Sequence, residues 1–371
     1  MENNYADEWF RLSNVDQADS PALVIYQDRV KTNIAVLLGM VGDVRRLRPH
    51  VKTHKSREAT LLLMAAGIRK FKCATIAEAE MVAACGSNDI LLAYQPVGPK
   101  INRLISLIES YPDAVFSCLV DEENAARNIG LAAAKCGITI PVYLDINVGM
   151  NRTGMKVDRA LELYTMEITG IRSVGLHVYD GHITDPDFST RTAQCNQAFA
   201  PVEDLERDIT ARGFERPAIV AGGSPTFPIH ARREGVECSP GTFIYWDAGY
   251  MDTLQEQSFV PAALLITRVI SCPTETIICT DLGHKAVASE NELHKRIRFL
   301  NAPGLIPLGQ SEEHLKLEAG RGHSYKIGDV LYGIPYHICP TCALFEKAFV
   351  AVNGKISAEW KITARDRKIH A

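Results

Sequence analysis

LRPHVKTHKSREATLLLMAAGI, residues 47–68, reads as one strand and one helix with no glycine between them. A strand that opens a doubly wound sheet turns into its helix through glycines, which let the backbone approach a pyrophosphate. Here the turn is Lys52-Thr53-His54-Lys55. Strand–helix alternation without that fingerprint points to a closed barrel. The following chain repeats the unit: KFKCAT (70–75), DILLAYQ (89–95), VFSCLVD (115–121), PVYLDINVG (141–149), VGLHVYDG (174–181), AIVAGGS (218–224) and ECSPGTF (237–243) make eight strands with 47–53. Helical patterns fill most gaps, as in IAEAEMVAACG (76–86) and EENAARNIGLAAAKCG (122–137). Ser56 and Glu122 suit helix starts, and Gly67, Gly86 and Gly137 suit left-handed helix ends. Together with PALVIY (21–26), residues 21–256 are assigned to a (β/α)8 TIM-type barrel.

The texture changes near Phe259. AALLITRVIS (262–271), ETIICTDL (275–282), RIRFLN (296–301), DVLYGI (329–334) and KAFVAVNGKISAEWKI (347–362) are β-rich, and Asn353-Gly354 favours a tight hairpin turn. Residues 257–371, joined by 1–20, form the expected C-terminal β domain.

The chain has 371 residues and a formal net charge of -4, so neither a sequence-independent nucleic-acid binder nor a polybasic membrane face is indicated. No apolar run matches a bilayer span, and MENNYADEWFRL lacks the basic start and apolar core of a signal peptide. Ten cysteines are scattered singly, which reads as reduced thiols rather than a disulfide framework. A cytoplasmic enzyme acting on a small molecule is expected.

In such a barrel the chemistry lies at the C-terminal ends of the strands, with phosphate after strands seven and eight. Gly222, Gly223 and Ser224 end strand seven, and Gly241 and Thr242 end strand eight. They are either a phosphate cradle or tight turns. Lys52, at the end of strand one, is either an imine-forming amine or a structural ion pair. A lysine facing a phosphate cradle suits pyridoxal 5'-phosphate. Lys55, in the turn, is expected to be solvated. Arg152 faces a cofactor oxygen or a substrate carboxylate, or pairs with Asp145. Tyr179 lies near the imine or simply fills the mouth. His182 is a general base or a solvated loop histidine. His337 and Cys339 alternate as on a strand, which would put an imidazole and a thiolate on one face. They are read as a divalent-metal pair, as part of a Cys339-Pro340-Thr341-Cys342 redox motif, or as structural.

VKTHK (51–55), DINVGMNRTG (145–154), GLHVYDGH (175–182), AGGSPTF (221–227), SPGTF (239–243), DLGHKA (281–286), SEEH (311–314) and HICPT (337–341), in this order, resemble the D-threonine aldolase and D-serine dehydratase family. These are fold-type III pyridoxal-phosphate enzymes related to the barrel of alanine racemase. The resemblance runs from about residue 20 to the end; VKTHK with HxCPT is its specific part. It implies Lys52 as the imine lysine, Arg152 and Tyr179 beside the cofactor, and Gly222, Gly223, Ser224, Gly241 and Thr242 at its phosphate. It implies His337 and Cys339 as metal ligands, for zinc first and manganese or magnesium as alternatives. His182 departs from the family's spacing, and Asp185 occupies a nearby register. The activity implied is cleavage of D-threonine to glycine and acetaldehyde. The same residues would serve a D-serine dehydratase or a 3-hydroxy-D-aspartate aldolase, and more distantly an amino-acid racemase. A homodimer is also implied.

Overall fold

The computed structural model describes residues 8–370, so residues 1–7 of the N-terminal segment assigned to the β domain lie outside the described residues. Contacts divide the described residues into two compact units, one holding 37–52, 57–241 and 366–370, the other holding 8–36, 53–56 and 242–365. The boundaries therefore differ from 21–256 and 257–371. Trp246, fully buried, stacks on Tyr250 and Phe259 at 5.5 and 5.0 Å, and the Ala262 N–H donates to the Tyr245 carbonyl at 2.7 Å. These contacts hold 242–256 to the β unit. The first strand, β1 (Ala22–Tyr26), lies in the sheet of that unit and not in the barrel.

In the barrel unit seven parallel strands follow one another in chain order: β2 (Lys70–Cys73), β3 (Asp89–Leu92), β4 (Val115–Val120), β5 (Ile140–Ile146), β6 (Ile171–Val178), β7 (Ala218–Ala221) and β8 (Val236–Cys238). Residues 47–51 close the ring. Arg48 and His50 N–H groups donate to the carbonyls of Cys238 and Pro240, while Lys72 and Val51 N–H groups exchange with the carbonyls of Pro49 and Lys72, all at 2.9–3.0 Å. Pro49 has no N–H to give, so this edge forms isolated bridges instead of a continuous ladder. Arg48, 1% exposed, pins it further through Asp89 Oδ1 at 2.6 Å and Glu237 Oε2 at 2.7 Å. The predicted helix ends hold: Gly67, Gly86 and Gly137 have φ of 93°, 90° and 71°, a region that costs glycine nothing. Glu122 accepts the Ala125 N–H as an N-cap.

The β unit adds β9 (Ala263–Ser271), β10 (Ile277–Thr280), β11 (Ile297–Phe299), β12 (Ile306–Gln310), β13 (Leu315–Glu318), β14 (Val330–Pro335), β15 (Lys347–Val352) and β16 (Lys355–Lys361). Their order is β12-β13-β10-β9-β1-β15-β16, with β14 on β9 and β11 on β14. β1 lies antiparallel to β9 and parallel to β15, Val24 opposite Leu264 and Phe349. Phe10, Leu12, Tyr26, Leu264, Ile266, Tyr332 and Ile334 pack into one apolar cluster on this sheet. The β15–β16 turn has φ of 50° at Asn353 and 70° at Gly354, the two positive angles a tight hairpin requires. No helix among the described residues is long and apolar enough to cross a membrane.

Candidate functional site

In the barrel unit the polar residues converge on Tyr179, the residue after β6. Lys52 lies in a turn of residues 51–54, not on a strand as its neighbours suggest, because the bridging pattern stops at Val51. It is half-buried, and its Nζ is 5.6 Å from the Tyr179 ring centre. Arg152, exposed, holds its guanidinium carbon 4.7 Å from the same ring. A third cation was not anticipated. Lys72, on β2 and 2% exposed, places its Nζ 5.7 Å from the ring. Behind it stand His177, whose Nε2 is 3.4 Å from Lys72 Nζ, and Asp145, whose Oδ1 is 2.7 Å from His177 Nδ1. Asp145 and His177 are register partners on β5 and β6, so one inward face presents both. Burial, then the charge of Lys52, lowers Lys72 to about 7. Burial, then Lys72, lowers His177. Burial pushes Asp145 up, but the hydrogen bond to His177, the attraction to it and the bond from Thr153 together outweigh this and hold the carboxyl below its ordinary value. Arg152 adds to that lowering without a direct pair to Asp145.

Gly222, Gly223 and Ser224 follow β7 and are buried. Gly222 has φ of 77°, and a Cβ there would meet His230 at 2.8 Å; one on Gly223 would meet the Tyr179 ring at 3.0 Å. The loop thus lies against the tyrosine at Gly223, while at Gly222 the positive φ and His230 disfavour any side chain. Asp180 anchors it from below. Its Oδ1 accepts from Thr226 Oγ1 at 2.7 Å and its Oδ2 from His230 Nε2 at 2.8 Å; Cys195 Sγ donates to Oδ2 at 3.6 Å. Burial raises Asp180, and these donors outweigh it and hold it low. Asp180, Cys195 and His230 are the one buried group among the described residues whose ligand atoms lie close enough to share an ion. The 2.8 Å N···O spacing is that of a hydrogen bond, shorter than the about 3.3 Å edge of a tetrahedron with metal–ligand bonds of about 2.0 Å. Gly241 follows β8 and is buried. His182 is exposed, and its Nε2 lies where a Cβ on Gly149 would come within 2.9 Å of it.

The β unit holds the second group. His337 and Cys339 are not on a strand: β14 ends at Pro335, His337 is the N-cap of a helix at Ile338–Leu344, and Cys339 lies in its first turn. The alternation of His and Cys imitates a strand. Pro340, in the first turn of a helix, gives up an N–H that has no intrahelical acceptor anyway. The buried Asp247 receives the Ile338 N–H at 3.1 Å and the Tyr250 N–H at 3.0 Å; burial raises it to about 6 despite both. His337 Nδ1 is 2.5 Å from Glu290 Oε1, which leaves Nε2 outward, as in carboxylate-oriented metal histidines. Burial lowers His337, but Cys339 and then Glu290 outweigh it and bring it to about 9. Cys339 Sγ has Thr53 Oγ1 at 3.1 Å and Thr242 Oγ1 at 3.4 Å. Thr242, expected at a phosphate, therefore has its hydroxyl on this sulfur. The Cys339–Cys342 motif does open a helix, yet Cys342 is fully buried and burial holds its thiol well above the ordinary value, which disfavours redox use. All ten cysteines are free. Lys55 is half-buried; it has φ of 48°, and its carbonyl receives the Ala364 N–H at 3.0 Å.

The residues fit the two groups expected of them. Lys52 and the glycine loop share Tyr179, as an amine and an anion cradle should. His337 and Cys339 form an imidazole–thiol donor pair with a carboxylate behind the imidazole. Lys72, His177, Asp180, Glu290, Asp247 and Thr53 were missed. A lysine inside the apolar β2 pattern was the one visible signal.

A family model, "Alanine racemase, N-terminal domain", matches residues 25–248, and "Putative serine dehydratase domain" matches 262–351. A D-threonine aldolase from Arthrobacter sp is 26% identical over 361 residues, covering 94% of this chain and 93% of that protein. A D-threo-3-hydroxyaspartate dehydratase from Delftia sp. (strain HT23) is 26% identical over 357 residues, covering 88% and 92%. The crystal structure of a D-threonine aldolase from Filomicrobium marinum superposes with a TM-score of 0.84 at 25% identity, covering 94% of this chain and 95% of that one. Barrel, glycine loop and the matched model over more than half its length agree, and the chain belongs to the alanine racemase N-terminal domain family, followed by a serine dehydratase-type domain.

Proposed function

We propose that the chain is a pyridoxal-phosphate- and metal-dependent lyase of D-3-hydroxy amino acids, cleaving D-threonine to glycine and acetaldehyde. The observation that carries this reading is the gathering of Lys52, Arg152 and the Gly222–Gly223 loop on Tyr179. When bound, pyridoxal phosphate supplies an electron sink for charge developing at Cα. Lys52 Nζ would hold its aldehyde carbon, Arg152 an anionic oxygen, and Gly222, Gly223, Ser224 and Gly241 its phosphate. His337 Nε2 and Cys339 Sγ would hold a divalent ion, zinc by donor type, whose chemistry is to lower the pKa of a bound hydroxyl. Glu290 keeps the His337 proton on Nδ1, so that Nε2 stays a ligand. His182, exposed beside Gly149, would take the β-hydroxyl proton.

D-serine dehydration stands as the second reading, because a D-threo-3-hydroxyaspartate dehydratase matches at the same identity as the aldolase and the C-terminal family model is a putative serine dehydratase domain. There Lys52 Nζ would take the Cα proton. 3-Hydroxy-D-aspartate is a further candidate substrate. Purified protein loaded with cofactor and zinc is given D-threonine and D-serine separately. Glycine with acetaldehyde, lost on chelation, supports the aldolase; pyruvate with ammonia supports the dehydratase; chelator-insensitive interconversion of enantiomers would replace both with a racemase. A homodimer is part of the proposal, and light scattering measures it.

A further inference from the structure

Lys72 has a role that the proposed reaction leaves unassigned. It is the one charged residue at a fully buried position of β2. An ammonium carries three N–H donors. Among the described residues Lys72 Nζ has one hydrogen-bond partner, His177 Nε2 at 3.4 Å. Asp145, 2.7 Å from His177 Nδ1, fixes that tautomer, so the Nε2 lone pair faces the lysine and orients it. The charged groups around Lys72 are Lys52 in the turn after the closing edge, Arg48 on that edge, Asp145 on β5 and Asp180 after β6. Both carboxylates are engaged elsewhere: Asp145 by His177 and Thr153, Asp180 by Thr226 and His230. Lys52, Lys72 and Arg152 thus ring Tyr179 with cations, and no carboxylate in direct contact neutralises Lys72.

Resting on the reading above, we propose that Lys72 contacts the bound molecule, giving its unspent N–H groups to an anionic oxygen, with His177 and Asp145 as positioning residues behind it. That oxygen belongs either to the pyridine ring's phenolate or to the amino acid's carboxylate. An anion beside Lys72 favours its protonated form, so binding above pH 7 takes up a proton there.

The test uses the full chain, with pyridoxine 5'-phosphate as a probe that keeps the phenol and phosphate but cannot bond to Lys52. If the oxygen is the phenolate, Lys72→Met weakens probe binding at least tenfold and removes proton uptake measured calorimetrically in two buffers. If it is the carboxylate, probe affinity holds while the KM for the D-amino acid rises at least tenfold and kcat changes less. His177→Leu shows the same loss, and His177→Gln, whose amide can bridge Asp145 and Lys72, recovers most of it. This pair decides the matter if Lys72→Met does not fold. Probe affinity, proton uptake and KM all within twofold of wild type overturn the inference. Wild-type protein that binds neither probe nor pyridoxal phosphate overturns the proposed function together with it.

Discussion

Asp180→Ala removes the acceptor shared by three buried donors. Thr226 Oγ1 at 2.7 Å loses its acceptor outright, and His230 Nε2 at 2.8 Å keeps only the weak contact to Cys195 Sγ at 3.4 Å. Asp180 is 2% exposed and His230 and Thr226 are fully buried, so water does not replace the carboxylate. Each orphaned donor costs about 1–3 kcal/mol, which gives about 2–6 kcal/mol for the two strong ones. For a unit of this size that lowers the melting temperature by about 4–24 °C. Thr226 also accepts from the Gly223 N–H at 3.4 Å, so the loop against Tyr179 loosens and cofactor affinity falls with stability. The pH dependence has a definite sign. Asp180 titrates below its ordinary value when folded, so its contribution is complete at neutral pH and is lost as pH falls through the folded pKa. The gap between wild type and variant therefore closes on acidification. The loss falls below the ordinary carboxylate value, so scanning calorimetry at pH 7 and at about pH 2 measures it. Adding Thr226→Val to Asp180→Ala removes one orphan and returns about 1 kcal/mol or more. A variant that melts within 2 °C of wild type at pH 7 and binds cofactor equally refutes the reasoning.

His337→Ala loses bound metal, read by elemental analysis, and at least tenfold of its turnover, while retaining pyridoxal phosphate by absorbance; retention of stoichiometric metal would move the ligands elsewhere. Glu290→Gln keeps the metal but binds it about 10–100-fold more weakly, as loss of an outer carboxylate does, measured by competition with a chelator. Arg48→Met leaves Glu237 and Asp89 without their shared cation and lowers stability by about 2–4 kcal/mol, less than a wholly buried pair because the Asp89 side chain is 37% exposed; chemical denaturation checks it.

The barrel was legible because each strand–helix unit carries its own punctuation: Glu122 caps a helix, Gly67, Gly86 and Gly137 end helices, and no glycine fingerprint follows Val51. PALVIY was placed in the wrong sheet for a physical reason. All five residues of β1 are buried, and a uniformly apolar strand does not reveal its neighbours. His337 and Cys339 show the reverse case, where a period of two in the residues coincides with a helix start, and Asp247, ninety residues earlier, supplies the acceptor that stabilises it. Lys52, Arg152, Tyr179 and the glycine loop could be proposed from the sequence because each sits beside a strand end. Lys72, His177 and Asp145 could not be, since their meeting depends on ring closure that brings β2, β5 and β6 to one interior. The Asp180–His230 contact spans fifty residues and left no local pattern at all.

The most direct measurement is reduction of the pyridoxal-phosphate-loaded protein with borohydride, followed by peptide mapping. The account predicts a single stoichiometric phosphopyridoxyl label on Lys52. A label on Lys55 or Lys72, or bound cofactor that leaves Lys52 unlabelled, would contradict it.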